Sequence, residues 1–166
     1  MLTLVKINSR ITIYNKMAKK TYNIIDLFCG CGGLSKGFEE AGYRTLLGVD
    51  IEQSALNTFE KNHNGAVGLN LDLSAQDSFD IIDDVIKGEK IDVIIGGPPC
   101  QGFSLTGPRN FEDERNKLYL AMIETVRRYQ PQAFLIENVP GMANLYKGAV
   151  KDEIVRRFTE MGYNFS

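Results

Sequence analysis

Residues 22–34 read Tyr-Asn-Ile-Ile-Asp-Leu-Phe-Cys-Gly-Cys-Gly-Gly-Leu, and this stretch joins an apolar segment to a glycine-rich turn. The apolar residues 22–28 predict a buried strand. Residues 34–41 have helical spacing of their apolar side chains, and Gly42 closes that helix. A glycine turn between a strand and a helix lets backbone N–H groups approach a ligand. The stretch therefore predicts the start of a strand–helix–strand unit with a ligand site at the turn.

The same alternation continues through the rest of the chain. We predict further strands at 44–49, 66–71, 91–95 and 133–136, helices at 53–62, 78–87, 115–129 and 150–161, and the beginning of another element at 163–166. Strands that alternate with helices through tight connections form a mostly parallel sheet covered on both faces. The sequence therefore predicts an α/β fold with a doubly wound sheet.

Composition limits the class of protein. The 166 residues suit one domain, and 43% hydrophobic with 24% charged residues is typical of a globular chain. Neither a membrane-length apolar stretch nor a secretory signal is apparent. The odd number of cysteines (Cys29, Cys31 and Cys100) indicates reduced thiols and a cytosolic or nuclear setting. We expect no metal, because structural zinc requires four clustered ligands.

Charge is distributed unevenly. Residues 1–20 hold five of the 19 Lys and Arg residues and none of the 21 acidic ones, so they carry +5 while the whole chain carries −2. Residues 21–166 therefore carry −7. We expect residues 1–20 to be a flexible, solvated basic extension. A net negative charge on residues 21–166 is unusual for a protein that binds DNA by itself.

Five strand ends carry a polar or reactive group. These groups are Asp26, Asp50, Asp72, Cys100 and Glu137. One carboxylate after a strand is often only a helix cap. Because the carboxyl ends of parallel strands share one edge of the sheet, we expect the five groups to converge on one crevice.

The first half of this crevice is suited to an adenosyl cofactor. Asp50 is placed to accept hydrogen bonds from two ribose hydroxyls, and Asp72 from an adenine amino group. The glycine spacing departs from the dinucleotide pattern, and no P-loop lysine is present, so S-adenosyl-L-methionine fits better than a nucleotide. We interpret His63 as a surface or helix-capping residue.

The second half of the crevice is suited to nucleophilic attack on a ring of the substrate. Residues 96–104, Gly-Gly-Pro-Pro-Cys-Gln-Gly-Phe-Ser, hold Cys100 on a turn stiffened by two prolines. A thiolate adds to a conjugated carbon when the ring is protonated at nitrogen, and Glu137 could supply that proton. A cysteine and an acid without a nearby histidine do not indicate a thiol protease.

Three segments closely resemble motifs of the cytosine-C5 DNA methyltransferases. Residues 26–38, 97–104 and 137–139 resemble the first, fourth and sixth motifs, and residues 113–118 resemble the fifth. The resemblance runs from about Asn23 to the last residue. It implies that residues 21–166 are the N-terminal part of a catalytic domain with the Rossmann-like, S-adenosylmethionine-dependent methyltransferase fold.

The resemblance also implies roles for individual residues. The cofactor-binding residues would be Phe28 on the adenine, Gly30 and Gly32 along the methionine part, Asp50 on the ribose, Ile51, Asp72 and Leu118 around the adenine, and Pro98. Cys100 would add to C6 of a cytosine flipped out of double-stranded DNA, and Glu137 would engage N3. Residues 101–110, with Gln101 and Ser104, would form the loop that closes over the base.

Members of this family continue with a target-recognition region and a final motif that these 166 residues do not contain. We therefore expect roughly the first half of the enzyme: a fragment, a truncated gene product, or one subunit of a split enzyme with a C-terminal companion chain. Alone, it should lack measurable methyl transfer.

The interpretation that we favour is a bacterial DNA cytosine-C5 methyltransferase of a restriction–modification system, cytoplasmic and nucleoid-associated when on DNA. Two alternatives remain open. One is a tRNA cytosine-C5 methyltransferase of the same architecture. The other is a non-catalytic, cofactor-binding partner subunit, against which the presence of both Cys100 and Glu137 argues, since folding requires neither.

Overall fold

A five-stranded parallel sheet forms the centre of the computed structural model, which describes residues 20–99, 117–137 and 149–164. The strands are β1 (Asn23–Leu27), β2 (Arg44–Asp50), β3 (Val67–Asn70), β4 (Val93–Gly96) and β5 (Ala133–Ile136). The helices are α1 (Gly33–Glu40), α2 (Gln53–Asn62), α3 (Ser78–Ile86), α4 (Lys117–Tyr129) and α5 (Ala149–Glu160). The strand order is β3-β2-β1-β4-β5, and every pairing is parallel.

Helices cover both faces of the sheet, which confirms the doubly wound α/β prediction. On one face, side chains of α3, α4 and α5, such as Ile82, Met122 and Phe158, pack in one cluster with Ile25 and Leu27 of β1. On the other face, α1 packs against a second cluster that includes Ile24 of β1. The fully buried ring of Phe59 places α2 on this same face, against Gly48 of β2.

Most predicted elements lie within one or two residues of the observed ones. β4 differs most, because it runs from Val93 to Gly96 where we predicted 91–95. Gly96 pairs with Leu27 and Ile136, and a Cβ at Gly96 would stand 2.8 Å from the Leu27 carbonyl oxygen. The strand can therefore continue only because this residue is a glycine.

The end of the described chain packs on the sheet. Tyr163 and Asn164 are not in a strand, and residues 165–166 of the predicted last element lie outside the described residues. The Tyr163 hydroxyl donates to the Pro131 carbonyl oxygen at 2.8 Å, and its ring meets Phe134 edge-on at 5.0 Å between centroids. Residues 1–19 of the predicted basic extension also lie outside the described residues.

A buried carboxylate joins three strands at the amino edge of the sheet. Asp92 accepts hydrogen bonds from the Asn23 backbone N–H at 3.1 Å and the Gln132 side-chain amide at 2.6 Å. Its carbonyl oxygen accepts the backbone N–H groups of Gln132 and Ala133. These hydrogen bonds fix the starts of β1, β4 and β5 relative to one another. The positions of their carboxyl ends are fixed as a result.

Candidate active site

The predicted site residues that the structure describes follow one another along the carboxyl edge of the sheet. Because the strands lie in the order β3-β2-β1-β4-β5, the neighbours along that edge are Asp72, Asp50, Phe28, Pro98 and Glu137. The chain winds away from β1 in one direction through β2 and β3, and in the other through β4 and β5. Such a reversal leaves a crevice between the two central strands, where open α/β sheets bind ligands.

The glycine turn bends sharply as the chain leaves β1. Phe28, Gly30 and Gly32 have φ values of 58°, 53° and 84°, all in the left-handed region. Glycine adopts this region freely, whereas the backbone of Phe28 is strained in it. The Cys29 N–H donates to the Val49 carbonyl oxygen at 3.1 Å, so the turn is anchored on β2. Open space surrounds the positions that Cβ atoms of Gly30 and Gly33 would occupy.

Asp50 connects this turn to the end of β2. Its Oδ2 accepts the Gly30 N–H at 2.8 Å, and its Oδ1 accepts the Glu52 N–H at 3.0 Å. A carboxylate has about four acceptor positions, so two bonds leave capacity for hydroxyl donors. The next residue, Ile51, exposes 67% of its surface, which is unusual for an isoleucine in a structured turn and provides an apolar contact beside the carboxylate.

His63 and Phe59 form the floor under the glycine turn. Their rings stack with centroids 4.2 Å apart, and a Cβ on Gly32 would stand 2.1 Å from His63 Cε1. His63 is fully buried and is the C-cap residue that follows α2, so the prediction of a capping residue is confirmed and the prediction of a surface residue is wrong. The imidazole is buried because the turn folds down onto it. The i, i+4 spacing of Phe59 and His63 places both rings on the same side of α2. This spacing was the feature of the sequence from which their contact could have been predicted.

Asp26 lies beneath the turn and not in the open crevice. It is 1% exposed, and its Oδ2 has no hydrogen-bond partner among the described residues. Burial raises the pKa of Asp26 to about 7; hydrogen bonds from Ser35 oppose that shift, and the charge of Asp50 adds to it. Sequence reasoning grouped Asp26 with the other strand-end acids, but its neighbours are the turn and α1. Burial likewise raises the pKa of the Cys29 thiol, so Cys29 is an inert, protonated neighbour.

Asp72 follows β3 in a local turn. Its Oδ1 accepts the Ser74 N–H at 2.8 Å and the Ser74 hydroxyl at 2.7 Å, and the residue is exposed. The exposed position at the edge of the crevice is compatible with contact to a ligand. The two hydrogen bonds that Asp72 accepts from Ser74 are also found in ordinary turns that bind no ligand. The predicted contact with an adenine amino group therefore stays a prediction.

Glu137 and Pro98 occupy the other half of the crevice. Pro98 is buried, and Glu137 is exposed just after β5, where its N–H donates to the Gly96 carbonyl oxygen at 2.9 Å. Glu137 Oε2 lies 3.2 Å from the position of a Cβ on Gly97, so the carboxylate rests against the segment that leads to Cys100. Cys100, Gln101 and Ser104 lie outside the described residues. Leu118 is half-buried near the start of α4.

Within residues 20–99, 117–137 and 149–164, no cluster of three or more His, Cys, Asp or Glu side chains is arranged to hold a metal ion. No described helix is both long enough and apolar enough to cross a membrane.

Comparison with known proteins identifies the family. The family model for C-5 cytosine-specific DNA methylases matches residues 22–166, which is nearly the whole chain. The chain belongs to this family. The sheet of parallel strands with its glycine turn and flanking helices is the methyltransferase fold that the sequence predicted.

Curated relatives include two type II methyltransferases. M.AgeI of Thalassovita gelatinovora is 44% identical over 140 residues, which cover 84% of this chain and 33% of the relative. M.DdeI of Desulfomicrobium norvegicum is 40% identical over 144 residues, which cover 85% of this chain and 34% of the relative. The chain therefore spans about a third of the length of these type II methyltransferases.

A solved structure supports the same assignment. The crystal structure of a protein assigned as a DNA modification methyltransferase, encoded in an Escherichia coli prophage, is 38% identical to this methylase-family chain with a TM-score of 0.70. The match covers 84% of this chain and 38% of the prophage protein.

Proposed function

We propose that this chain supplies the cofactor-binding and nucleophile-bearing part of an enzyme that methylates C5 of cytosine in DNA, with S-adenosyl-L-methionine as the methyl donor. One observation carries the proposal: the strand-end residues Asp72, Asp50, Phe28, Pro98 and Glu137 follow one another along one edge of the sheet in a member of this family. The similarity to type II methyltransferases favours a role in restriction–modification.

The crevice fits an adenosyl cofactor. The exposed side chain of Ile51 beside the half-buried Asp50 carboxylate suits an apolar ring attached to a sugar with hydroxyl donors. Open space at Gly30 leaves room for a ligand to approach the backbone. The cofactor-binding residues in this proposal are Phe28, Gly30, Gly32, Asp50, Ile51, Asp72, Pro98 and Leu118. The bound cofactor would supply an electrophilic methyl group.

Cys100 and Glu137 are the catalytic residues in this proposal. The thiolate of Cys100 forms a bond to C6 of a flipped cytosine while Glu137 holds a proton at N3, so the electron pair of the C5–C6 double bond is delocalised and C5 becomes nucleophilic. After C5 gains the methyl group, loss of the C5 proton and of the thiolate restores the aromatic ring. Gln101 and Ser104 belong to the loop that we propose to close over the base.

The test uses a chimera in which residues 22–166 replace the matching part of M.AgeI, assayed on duplex DNA and on tRNA. We expect methyl transfer to DNA and a covalent adduct at Cys100 on duplexes that contain 5-fluorocytosine, because fluorine blocks the elimination step. The Cys100→Ser chimera should bind S-adenosyl-L-methionine normally and form no adduct, since a hydroxyl is a far weaker nucleophile than a thiolate. Methylation of tRNA alone would contradict the choice of DNA. An active chimera without an adduct would contradict the role of Cys100.

A further inference from the structure

The end of α2 packs closely against one point of the glycine turn. The His63 ring lies directly beneath Gly32, where a Cβ would stand 2.1 Å from His63 Cε1 and 2.7 Å from Phe59 Cδ2. The Cβ positions of Gly30 and Gly33 face open space instead. The turn is therefore supported by α2 at Gly32 and left free for a ligand at the glycines on either side.

Hydrogen bonds hold the ring and the turn in this arrangement. Because a carbonyl oxygen can only accept, His63 Nδ1 carries a hydrogen, and it donates to the Phe59 carbonyl oxygen at 2.9 Å. The Asn62 side-chain amide donates to the Cys31 carbonyl oxygen at 3.1 Å. The Asn62 carbonyl oxygen in turn accepts the Lys36 ammonium group of α1 at 2.9 Å. The end of α2 thus contacts the turn and also the helix that follows the turn.

Stability alone does not account for a histidine at this position. His63 is fully buried, and its Nε2 has no hydrogen-bond partner among the described residues. An unpaired polar atom in the interior costs free energy that an apolar side chain would not cost. The imidazole combines a flat ring, stacked on Phe59 with the centroids 4.2 Å apart, with a donor that fixes the ring's orientation. These properties suit a residue that keeps Gly32 at a fixed distance from α2.

The position of Gly32 bears on Asp50 through the backbone of the turn. The Gly32 N–H donates to the Cys29 carbonyl oxygen at 2.9 Å, so these two residues move together. Between them, the Gly30 N–H donates to Asp50 Oδ2 at 2.8 Å. If Gly32 moved into the space of a missing ring, this short segment would tilt and the bond to Asp50 would lengthen. The Asp50 carboxylate would then lose one of the two backbone hydrogen bonds that orient it.

We propose that His63 is a positioning residue that sets the affinity of the site for its cofactor by holding the glycine turn against Asp50. The inference rests on the proposed function, in which an adenosyl cofactor binds at this turn. His63 is fully buried beneath the turn, so it acts through Gly32 and not by contact with the ligand. Its loss should weaken cofactor binding and leave the reaction that we assign to Cys100 and Glu137 unchanged.

Two substitutions and one control test this role in the 166-residue chain. His63→Ala removes the ring, and His63→Asn keeps a side-chain donor but lacks the atoms that meet Gly32. Val126→Ala truncates a fully buried side chain of α4 on the other face of the sheet, and it controls for a general loss of stability.

Calorimetry with S-adenosyl-L-methionine gives the affinities, under conditions in which circular dichroism shows all four proteins to be folded. We expect both His63 variants to bind roughly tenfold more weakly than the wild type, which corresponds to the loss of about one hydrogen bond. Val126→Ala should bind like the wild type.

Two further measurements separate positioning from stability. Amide hydrogen exchange, followed by NMR on the free proteins, reports on the Gly30 N–H. It should exchange roughly tenfold faster in both His63 variants than in the wild type or Val126→Ala, because its bond to Asp50 opens locally. In the M.AgeI chimera, His63→Asn should raise the KM for S-adenosyl-L-methionine roughly tenfold and leave kcat at saturating cofactor unchanged.

Several results would contradict the inference. Equal affinity of the wild type and the His63 variants overturns it and leaves the proposed function standing. Weaker affinity with unchanged Gly30 exchange also overturns it, because the effect would not pass through the turn, and an equal loss in Val126→Ala assigns the effect to stability. If His63→Ala does not fold, His63→Asn decides. Absence of binding by the wild type overturns the proposed function and the inference together.

Discussion

Asp50 performs two tasks with one carboxylate, since it holds the glycine turn against β2 and keeps acceptor positions for a ligand. We expect Asp50→Ala to weaken S-adenosyl-L-methionine binding about ten- to a hundredfold, because lost hydrogen bonds to a charged acceptor cost about 1.5–3 kcal/mol. Calorimetry on the 166-residue chain measures this. Asp77→Ala, a change at the start of α3, is the control and should leave affinity unchanged. An unaltered dissociation constant in Asp50→Ala would mean that Asp50 only fixes the turn.

The buried Asp26 also predicts how stability depends on pH. Its pKa is raised from 3.8 to about 7, so the folded protein binds the extra proton and the stabilising contribution is complete below about pH 4. That contribution is lost as the pH rises through about 7, with a total on the order of 4 kcal/mol. Urea unfolding at several pH values should show stability falling between pH 4 and 8 in the wild type relative to Asp26→Asn. Parallel curves for the two proteins would contradict this.

At the scale of elements, local patterning was enough to predict every strand and helix that the structure describes. Alternation of strands and helices also predicted that their ends would meet at one edge. The end of β4 was missed because a glycine usually signals a turn, and only the close approach of Leu27 to Gly96 explains its place in a strand. The burial of Asp26 and His63 was missed because it depends on how the glycine turn folds onto α2, a contact between distant elements.

The amino edge of the sheet offers a test of how elements are held together. Burial alone would raise the pKa of Asp92, but hydrogen bonds from Lys90, the Asn23 N–H and Gln132 lower it overall, so its contribution persists above about pH 4 and is lost in acid. Asp92→Ala removes the acceptor of the half-buried Asn23 N–H and of the Gln132 side-chain amide, and should destabilise the fold by about 1–3 kcal/mol.

Urea unfolding with an unchanged m-value would measure the effect of Asp92→Ala. Lys90→Ala is the matched control, because the Lys90 side chain is 66% exposed and an exposed ion pair contributes less than about 1 kcal/mol. Equal losses in both variants would show that the ion pair, and not the bonds joining the strands, is what stabilises this edge.

For the whole molecule, the balance of charge limits contact with nucleic acid. Residues 21–166 carry −7, whereas proteins that bind DNA without sequence preference obtain most of their affinity from Lys and Arg at phosphates. We expect the 166-residue chain to bind duplex DNA weakly, without preference among sequences. Deletion of residues 1–16, which removes Lys6, Arg10 and Lys16, should weaken it further. Fluorescence anisotropy at several salt concentrations measures this, and tight, sequence-specific binding by the chain alone would contradict it.

The central position of β1 has a consequence for how the chain is made. Among the described strands β1 is synthesised first, yet one of its two partners is β4, whose last residue, Gly96, follows Leu27 by 69 positions. At a synthesis rate of about 5–20 residues per second, that edge of β1 stays open for roughly 3–14 s. Before β4 is complete, β1 can pair with β2 and β2 with β3, because both of these strands precede β4 in the chain. The nascent chain thus presents one open edge of β1, with Ile24, Ile25 and Leu27, until β4 pairs with it, and such an edge is a template for pairing with other chains.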